Sequence, residues 1–255
     1  MRKIPIKIAT SLEIPKSKGE QIVTPVRKVV NNGFSSVGSF PSTKVKRQVG
    51  YESSLEADLA QLLEFDEKID YFIEQPCKIP YKDAKEKERI YTPDFMALFK
   101  KDIIPSHWDN PIIYEVKYKE DLKNSFDELR YKFQAAFTYS SKNHWRFKVL
   151  TEEHIRTEYL INAKFLLRYK YQYAELGLLN TVLDTLEFLK EATPFEIIAT
   201  ATNNKSRQAQ LLYTLWSLTA NHYIGCNFKK QITMSTVLWY KSTPTKKFKN
   251  ESAGY

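Results

Sequence analysis

The apolar positions fall into helical and alternating stretches that outline most of the chain. Leu55, Leu59, Leu62 and Leu63 recur at i, i+4, i+7 and i+8, which predicts an amphipathic helix over Ser53 to Glu64. Ser53-Ser54-Leu55-Glu56 fits a capping box, with Ser53 capping the third helical amide and Glu56 reaching back to the amide of Ser53. Phe65-Asp66 ends this helix, and Ile69 to Tyr81 reads as a strand broken at Gln75-Pro76, which suits an edge or a bend. Lys82 to Arg89 is a charged turn. Tyr91 to Met96 and Ile112 to Lys117 are predicted to pair as two strands, joined by a long surface connection from Lys100 to Asn110. Glu120 to Thr138 follows as an amphipathic helix with Leu122, Phe126, Leu129, Phe133 and Phe137 on its buried face. Trp145 to Leu150 alternates as a strand, and a further helix runs from Thr151 through Ile161 and Leu166, leading out of the first domain.

Beyond Tyr169 the pattern is helical over Leu178 to Leu189, Pro194 to Thr200 and Ser206 to Thr219. Two strand-like runs, His222 to Cys226 and Thr233 to Trp239, then flank a basic turn at Lys229-Lys230. Three helices followed by a basic hairpin describe a winged helix, a module that docks either DNA or protein. Leu211, Leu212, Tyr213, Leu215 and Trp216 read as its core. Residues 1 to 48 are rich in Pro, Ser, Gly and Lys without periodicity and read as an arm. Near its end, Phe40 among Lys44, Lys46 and Arg47 would lie along a DNA backbone or pack over the domain. The expected organisation is an arm over 1–48, an α/β domain over 49–168, a winged-helix-like domain over 169–240 and a basic tail over 241–255.

Composition narrows the class. Hydrophobic residues make up 42% and charged residues 27%, with only 7 glycines in 255 residues, as in a globular protein with room for two cores. No apolar run reaches the length of a membrane span, and the start Met1-Arg2-Lys3-Ile4-Pro5 lacks a secretory apolar segment, so a cytoplasmic protein without a membrane partner is expected. Cys77 and Cys226 lie far apart, without zinc-site spacing, and read as small buried hydrophobes. The net charge of +9 is concentrated at the ends: residues 1–50 carry ten Lys or Arg against two Glu, and the segment from Lys241 carries four Lys against Glu251. Basic termini around a nearly neutral body suit contact with a phosphate backbone, and equally a merely soluble tail.

The chemistry centres on the two paired strands. Asp94 opens one, and Glu115 and Lys117, two residues apart, share one face of the other, while Val116 points the opposite way. Two acidic oxygens beside an amine suit a divalent cation and an activated water, as phosphodiester hydrolysis requires. Pro93-Asp94 with Glu115-Val116-Lys117 is the PD-(D/E)XK nuclease signature, weak alone and strengthened by the surrounding order of helix, strands and helix. It implies a restriction-endonuclease-like mixed sheet flanked by helices. By its own residues, Glu56 reads first as a helix cap.

A longer series of motifs is more specific. Phe40-Pro41-Ser42-Thr43-Lys44, Tyr51 through Leu59, Leu62 through Asp66, Glu74-Gln75-Pro76, Tyr91 through Phe95, Glu115-Val116-Lys117 and Phe147 through Glu152, in this order, resemble the TnsA endonuclease subunit of heteromeric transposases. The resemblance covers about residues 27 to 170. It implies that Glu56 is catalytic together with Asp94, Glu115 and Lys117. Asp94, Glu115 and Glu56 would be the metal ligands, for one or two Mg²⁺ ions with Mn²⁺ as a substitute. Some family members carry Gln where Glu115 stands, and Ala57 replaces a basic residue common there. The implied activity is cleavage of the non-transferred strands at the 5′ ends of a transposon. Its partners would be double-stranded DNA at those ends, a DDE transposase, and an AAA+ ATPase regulator that binds the carboxy-terminal domain. The alternatives are a stand-alone restriction or repair nuclease, and a DNA-binding assembly factor whose nuclease site is unused.

Overall fold

The computed structural model describes residues 25, 37–103, 110–170 and 175–241. The chain divides into two compact units between Arg156 and Thr157.

Among the described residues, the first element of the first unit is a hairpin, β1 (Gly38–Ser42) and β2 (Arg47–Tyr51). The segment containing Phe40 and Lys44 is therefore folded, whereas most of the basic arm and all of the tail beyond Lys241 lie outside the described residues. Val45 and Val49 of the hairpin are buried. Helix α1 (Ser54–Phe65) follows and offers Glu64 to it: Thr43 Oγ1 donates to Glu64 Oε1 at 2.9 Å, and the Ser42 hydroxyl donates to the other oxygen. Lys44 caps the far end of α1 by donating to the carbonyl of Leu63 at 2.8 Å. Of the two roles open to this segment, packing over the domain is the one the hydrogen bonds support.

Next come β3 (Ile69–Glu74), the two-stranded pair β4 (Ile79–Lys82) and β5 (Glu88–Tyr91), then β6 (Phe95–Phe99) and β7 (Ile112–Val116). Helices α2 (Lys119–Asn124) and α3 (Phe126–Lys142) cross to β8 (Arg146–Leu150), and α4 (Glu152–Ile155) closes the unit. The main sheet has the order β3-β6-β7-β8, antiparallel except for the parallel pair β7/β8 that the helical crossover allows. Continuous burial along β7 reflects its central place, and Phe65, Phe72, Phe95 and Ile113 are fully enclosed.

An ion pair ties the hairpin to this sheet. Arg47 donates to both oxygens of Glu74, at 2.6 and 2.7 Å, and the amide of Gly50 donates to Glu74 Oε1 at 3.2 Å. Glu74 is 4% exposed, so its carboxylate has this ion pair in place of solvent. Arg47→Met should cost about 3–5 kcal/mol in urea unfolding, because it strands a buried carboxylate. Adding Glu74→Leu should return most of the loss.

Two expectations fail in this unit. The helix from 120 to 138 is broken at Ser125, and its stripe is only partly buried: Leu122, Leu129 and Phe133 are half-buried, with Phe133 packed on Phe147, but Phe126 and Phe137 are 59% and 63% exposed, while Ala136 and Ser140 face inward. Small residues let α3 approach the sheet closely, which displaces the large aromatics to its margins. The helix from Thr151 through Leu166 is likewise two helices, α4 and α5 (Glu158–Lys170), and the unit boundary falls between them.

In the second unit, α5 is followed by α6 (Leu176–Leu189), β9 (Glu191–Ala192), α7 (Pro194–Ala201), α8 (Lys205–Ala220), β10 (Ile224–Cys226) and β11 (Leu238–Tyr240). The strands form one antiparallel sheet in the order β10-β11-β9. Val182, Leu186, Ile197, Leu211, Leu215, Ile224 and Leu238 form its core. Helix α7 starts with a capping box between Thr193 and Glu196 behind Pro194. Gly225 is required by packing, since a Cβ there would lie 2.3 Å from the Trp239 indole nitrogen. The strand expected from Thr233 shrinks to Leu238–Tyr240, because Thr233 to Thr236 close a turn: the Thr236 amide donates to the Thr233 carbonyl at 3.2 Å and the Thr233 amide donates to Thr236 Oγ1 at 2.8 Å. Buried Asn162 of α5 holds the segment before this turn. Its amide donates to the carbonyls of Phe228 and Lys230 at 2.9 and 2.7 Å, and its oxygen accepts from the Ile232 amide at 2.9 Å.

Candidate active site

Register brings the acidic residues together. Phe95 faces Tyr114 and Met96 faces Ile113 across β6 and β7, so the residue before β6, Asp94, comes opposite Glu115. Asp94 is tied to the main chain of β7: the Val116 amide donates to Asp94 Oδ2 at 2.6 Å. Behind Asp94, Gln75 adopts a left-handed backbone (φ 47°) that turns the chain out of β3, and its amide donates to the Asp94 carbonyl at 2.8 Å. Asp94 is thus pinned at its main chain and at one carboxylate oxygen.

Glu115 is more enclosed than a solvent-facing catalytic residue, at 2% exposure. The Tyr91 hydroxyl donates to Oε2 at 2.6 Å and the Lys132 ammonium donates to Oε1 at 2.8 Å. Lys117 Nζ lies 4.0 Å from the same Oε1 and is 36% exposed, leaving it open to an incoming ligand. Its main-chain amide is anchored separately, donating to the Leu150 carbonyl at 3.0 Å.

Glu56 occupies the first turn of α1 and serves as a cap. The Ser53 hydroxyl donates to Oε1 at 3.0 Å and accepts from the Glu56 amide at 3.1 Å. The returning bond comes from the amide of Glu52 at 2.8 Å, one residue earlier than the expected Ser53 amide. The cap does not remove Glu56 from the electrostatics of the site. Its charge, with that of Glu115, helps to raise Asp94, while Lys117 acts on both Glu56 and Asp94.

The resulting field bears on the acids themselves. Burial first, then the charges of Glu115 and Glu56, hold the Asp94 carboxyl well above the usual carboxylate range, against the Val116 hydrogen bond and Lys117. Burial also raises Glu56, opposed by its bonds to Glu52 and Ser53. Crowded carboxylates that resist ionisation together are relieved by a cation, and shifts of this kind concentrate at functional sites. Among the described residues, no group of three His, Cys, Asp or Glu side chains stands ready to hold a metal alone. The donors that fit one are carboxylate oxygens from Asp94 and Glu115, hard ligands suited to Mg²⁺.

Tyr91 and Lys132 escaped the sequence reading. A helical lysine normally reads as solvated, but Lys132 lies three residues after Leu129 and four before buried Ala136, a spacing that marks the inner side of α3. The cysteines behave as expected: burial pushes the Cys77 and Cys226 thiols up to about 12, leaving both un-ionised at neutral pH. No described helix is long and apolar enough to cross a membrane.

Residues 66–152 match the family model of the TnsA-like endonuclease N-terminal domain. The matched segment contains Asp94, Glu115 and Lys117 and starts after Glu56. No curated protein matches the chain.

Proposed function

We propose that this chain, which carries a TnsA-like nuclease domain over residues 66–152, is the DNA-cleaving subunit of a transposase. The observation that carries this reading is the meeting of Asp94, Glu115 and Lys117 across β6 and β7 within that domain. Asp94 and Glu115 would hold Mg²⁺, with Mn²⁺ as a substitute, and Glu56 would complete the acidic wall or orient a water. The ion would supply a hydroxide at neutral pH and polarise the scissile phosphate. Lys117 sits where its ammonium can offset the charge that builds on the phosphoryl oxygens. Hydrolysis by this arrangement leaves a 3′-hydroxyl and a 5′-phosphate.

The strand assignment follows from the same reading: the enzyme cuts the non-transferred strands at the 5′ ends of the element, and a DDE transposase acts on the 3′ ends. From α6 onward the second unit suits a winged helix, with a helix, a short strand, two helices and two further strands in chain order and β11 central in the sheet, while α5 precedes this set. It would dock DNA or an AAA+ regulator. The test is strand-resolved cleavage of end-labelled transposon-end DNA, by the chain alone and with transposase and ATPase added. Nicks confined to the 5′ ends and requiring those partners support the transposase reading. Equal cutting of both strands of unrelated DNA without partners would replace it with a stand-alone nuclease.

A further inference from the structure

Arg156, the last residue of the first unit, gathers three side chains that the nuclease signature does not include. Its Nε donates to Asp58 Oδ2 at 2.8 Å, and its Nη2 donates to Ser54 Oγ at 3.0 Å and to the Tyr118 hydroxyl oxygen at 3.2 Å. The Ser54 and Tyr118 hydroxyls meet at 3.2 Å, and the guanidinium carbon lies 5.5 Å from the Tyr118 ring centroid. Asp58 is 6% exposed, so protein groups replace solvent around its carboxylate, Arg156 among them. The Arg156 side chain is 40% exposed, and an ion pair that open contributes little alone. Its weight comes from the planar fork, which reaches two segments at once.

These partners lie behind the candidate active site. Ser54 and Asp58, four residues apart, share one side of α1, and Glu56, two from each, projects from the other side. Tyr118 follows Lys117 in extended chain (Tyr118 φ −64°, ψ 143°), so the two side chains leave in opposite directions. Arg156 thus grips the backs of two segments whose fronts carry Glu56 and Lys117. The exit from β7 is fixed on either side of Tyr118 as well. The Lys117 amide donates to the Leu150 carbonyl at 3.0 Å, the Lys119 amide to Glu152 Oε2 at 2.9 Å and the Lys119 ammonium to Glu153 Oε1 at 2.6 Å. The amide of Arg156 donates to the Glu152 carbonyl at 2.8 Å, which seats the arginine at the end of α4. Of these bonds, those of Arg156 and the Ser54–Tyr118 contact join α1 to the segment after β7.

We propose that Arg156 is a positioning residue of the nuclease centre: by tying Ser54 and Asp58 to Tyr118, it sets the separation of Glu56 from Lys117. This rests on the nuclease reading of that centre. Lys117 acts electrostatically on Glu56, so the acidic wall and the ammonium beside it form a pair whose spacing matters. A lysine at position 156 keeps a charge beside Asp58, but its single compact ammonium cannot hold α1 and Tyr118 together as the fork does. Arg156→Lys therefore separates positioning from the stability that a charge beside Asp58 supplies.

The test is cleavage of DNA in Mg²⁺, with and without the transposase and ATPase, by the full chain and by Arg156→Lys, Tyr118→Phe and Ser54→Ala, beside a thermal melt of each. Arg156→Lys should melt close to the wild type and lose roughly 10- to 100-fold in turnover number with KM for DNA unchanged, as displaced reacting groups require. Tyr118→Phe and Ser54→Ala each remove part of the grip and should lose less, in the same parameter. In a Glu56→Gln background the Arg156→Lys loss should shrink, because one of the groups it places is already gone. An unchanged turnover number in a folded Arg156→Lys protein would overturn the inference. So would a loss carried by KM, which would make Arg156 a contact of the DNA itself. Losses that multiply fully with Glu56→Gln would overturn it too, since a general loosening of the fold acts in that way. If Arg156→Lys fails to fold, Tyr118→Phe and Ser54→Ala decide the question on the same terms. A wild type that leaves DNA uncut under every condition removes the nuclease reading and this inference together.

Discussion

Replacing Lys117 by Met is expected to lower the turnover number for strand scission by about 10³-fold, with little change in KM for DNA. The side chain is 36% exposed and lies 4.0 Å from Glu115. Glu115 keeps its bonds from Lys132 and Tyr91 when Lys117 is removed, and the main-chain bond from residue 117 to Leu150 does not need the side chain. Folding should therefore survive, and the loss should fall on the step in which charge builds on phosphorus-bound oxygen. Single-turnover cleavage of a supercoiled plasmid, beside a circular-dichroism melt, separates the two effects. A loss carried by KM instead would make Lys117 an anchor for the ground-state phosphate.

Asp94→Asn should abolish detectable cleavage, a loss of about 10³-fold or more, and should make the metal-free protein more stable at neutral pH. The second effect follows from the elevated Asp94 carboxyl, raised by burial and by Glu115 and Glu56. The folded protein keeps that proton at pH values where the unfolded chain has released it. Stability must then fall as pH rises from the ordinary carboxylate range through the elevated value, because the folded state binds more protons throughout that window. Glu56 is raised as well and adds a fall of the same sign. Asparagine removes the Asp94 part, so thermal melts of the variant in chelator should be flatter with pH than those of the wild type. Added Mg²⁺ should raise the wild-type melting temperature and leave the variant where it was.

These effects rest on a site that was only partly legible in the sequence. The strand pair and its three signature residues could be found because strand alternation places Glu115 and Lys117 on one face and the antiparallel register sets Asp94 opposite. Helix α1 was legible for a similar reason: its apolar period and its cap agree, and Ser53 does cap the Glu56 amide. Tertiary choices were hidden. The face of α3 was misjudged because residue volume favours Phe126 and Phe137 as core, while close approach to the sheet favours Ala136 and Ser140. That misjudged face concealed Lys132, whose role depends on which side of the helix turns inward. The hairpin of β1 and β2 was equally hard to foresee, since its Gly, Pro and Ser content reads as loop. What orders it is the acceptance of its hydroxyls by Glu64 and of Arg47 by Glu74, both distant in sequence.

The most direct test of the account is end-group analysis of DNA cut in Mg²⁺ by the wild type and by Asp94→Asn, with the transposase and ATPase present. The site described here predicts breaks bearing 3′-hydroxyl and 5′-phosphate ends, absent in chelator and absent with the variant. Cleavage of undiminished rate by Asp94→Asn would contradict it.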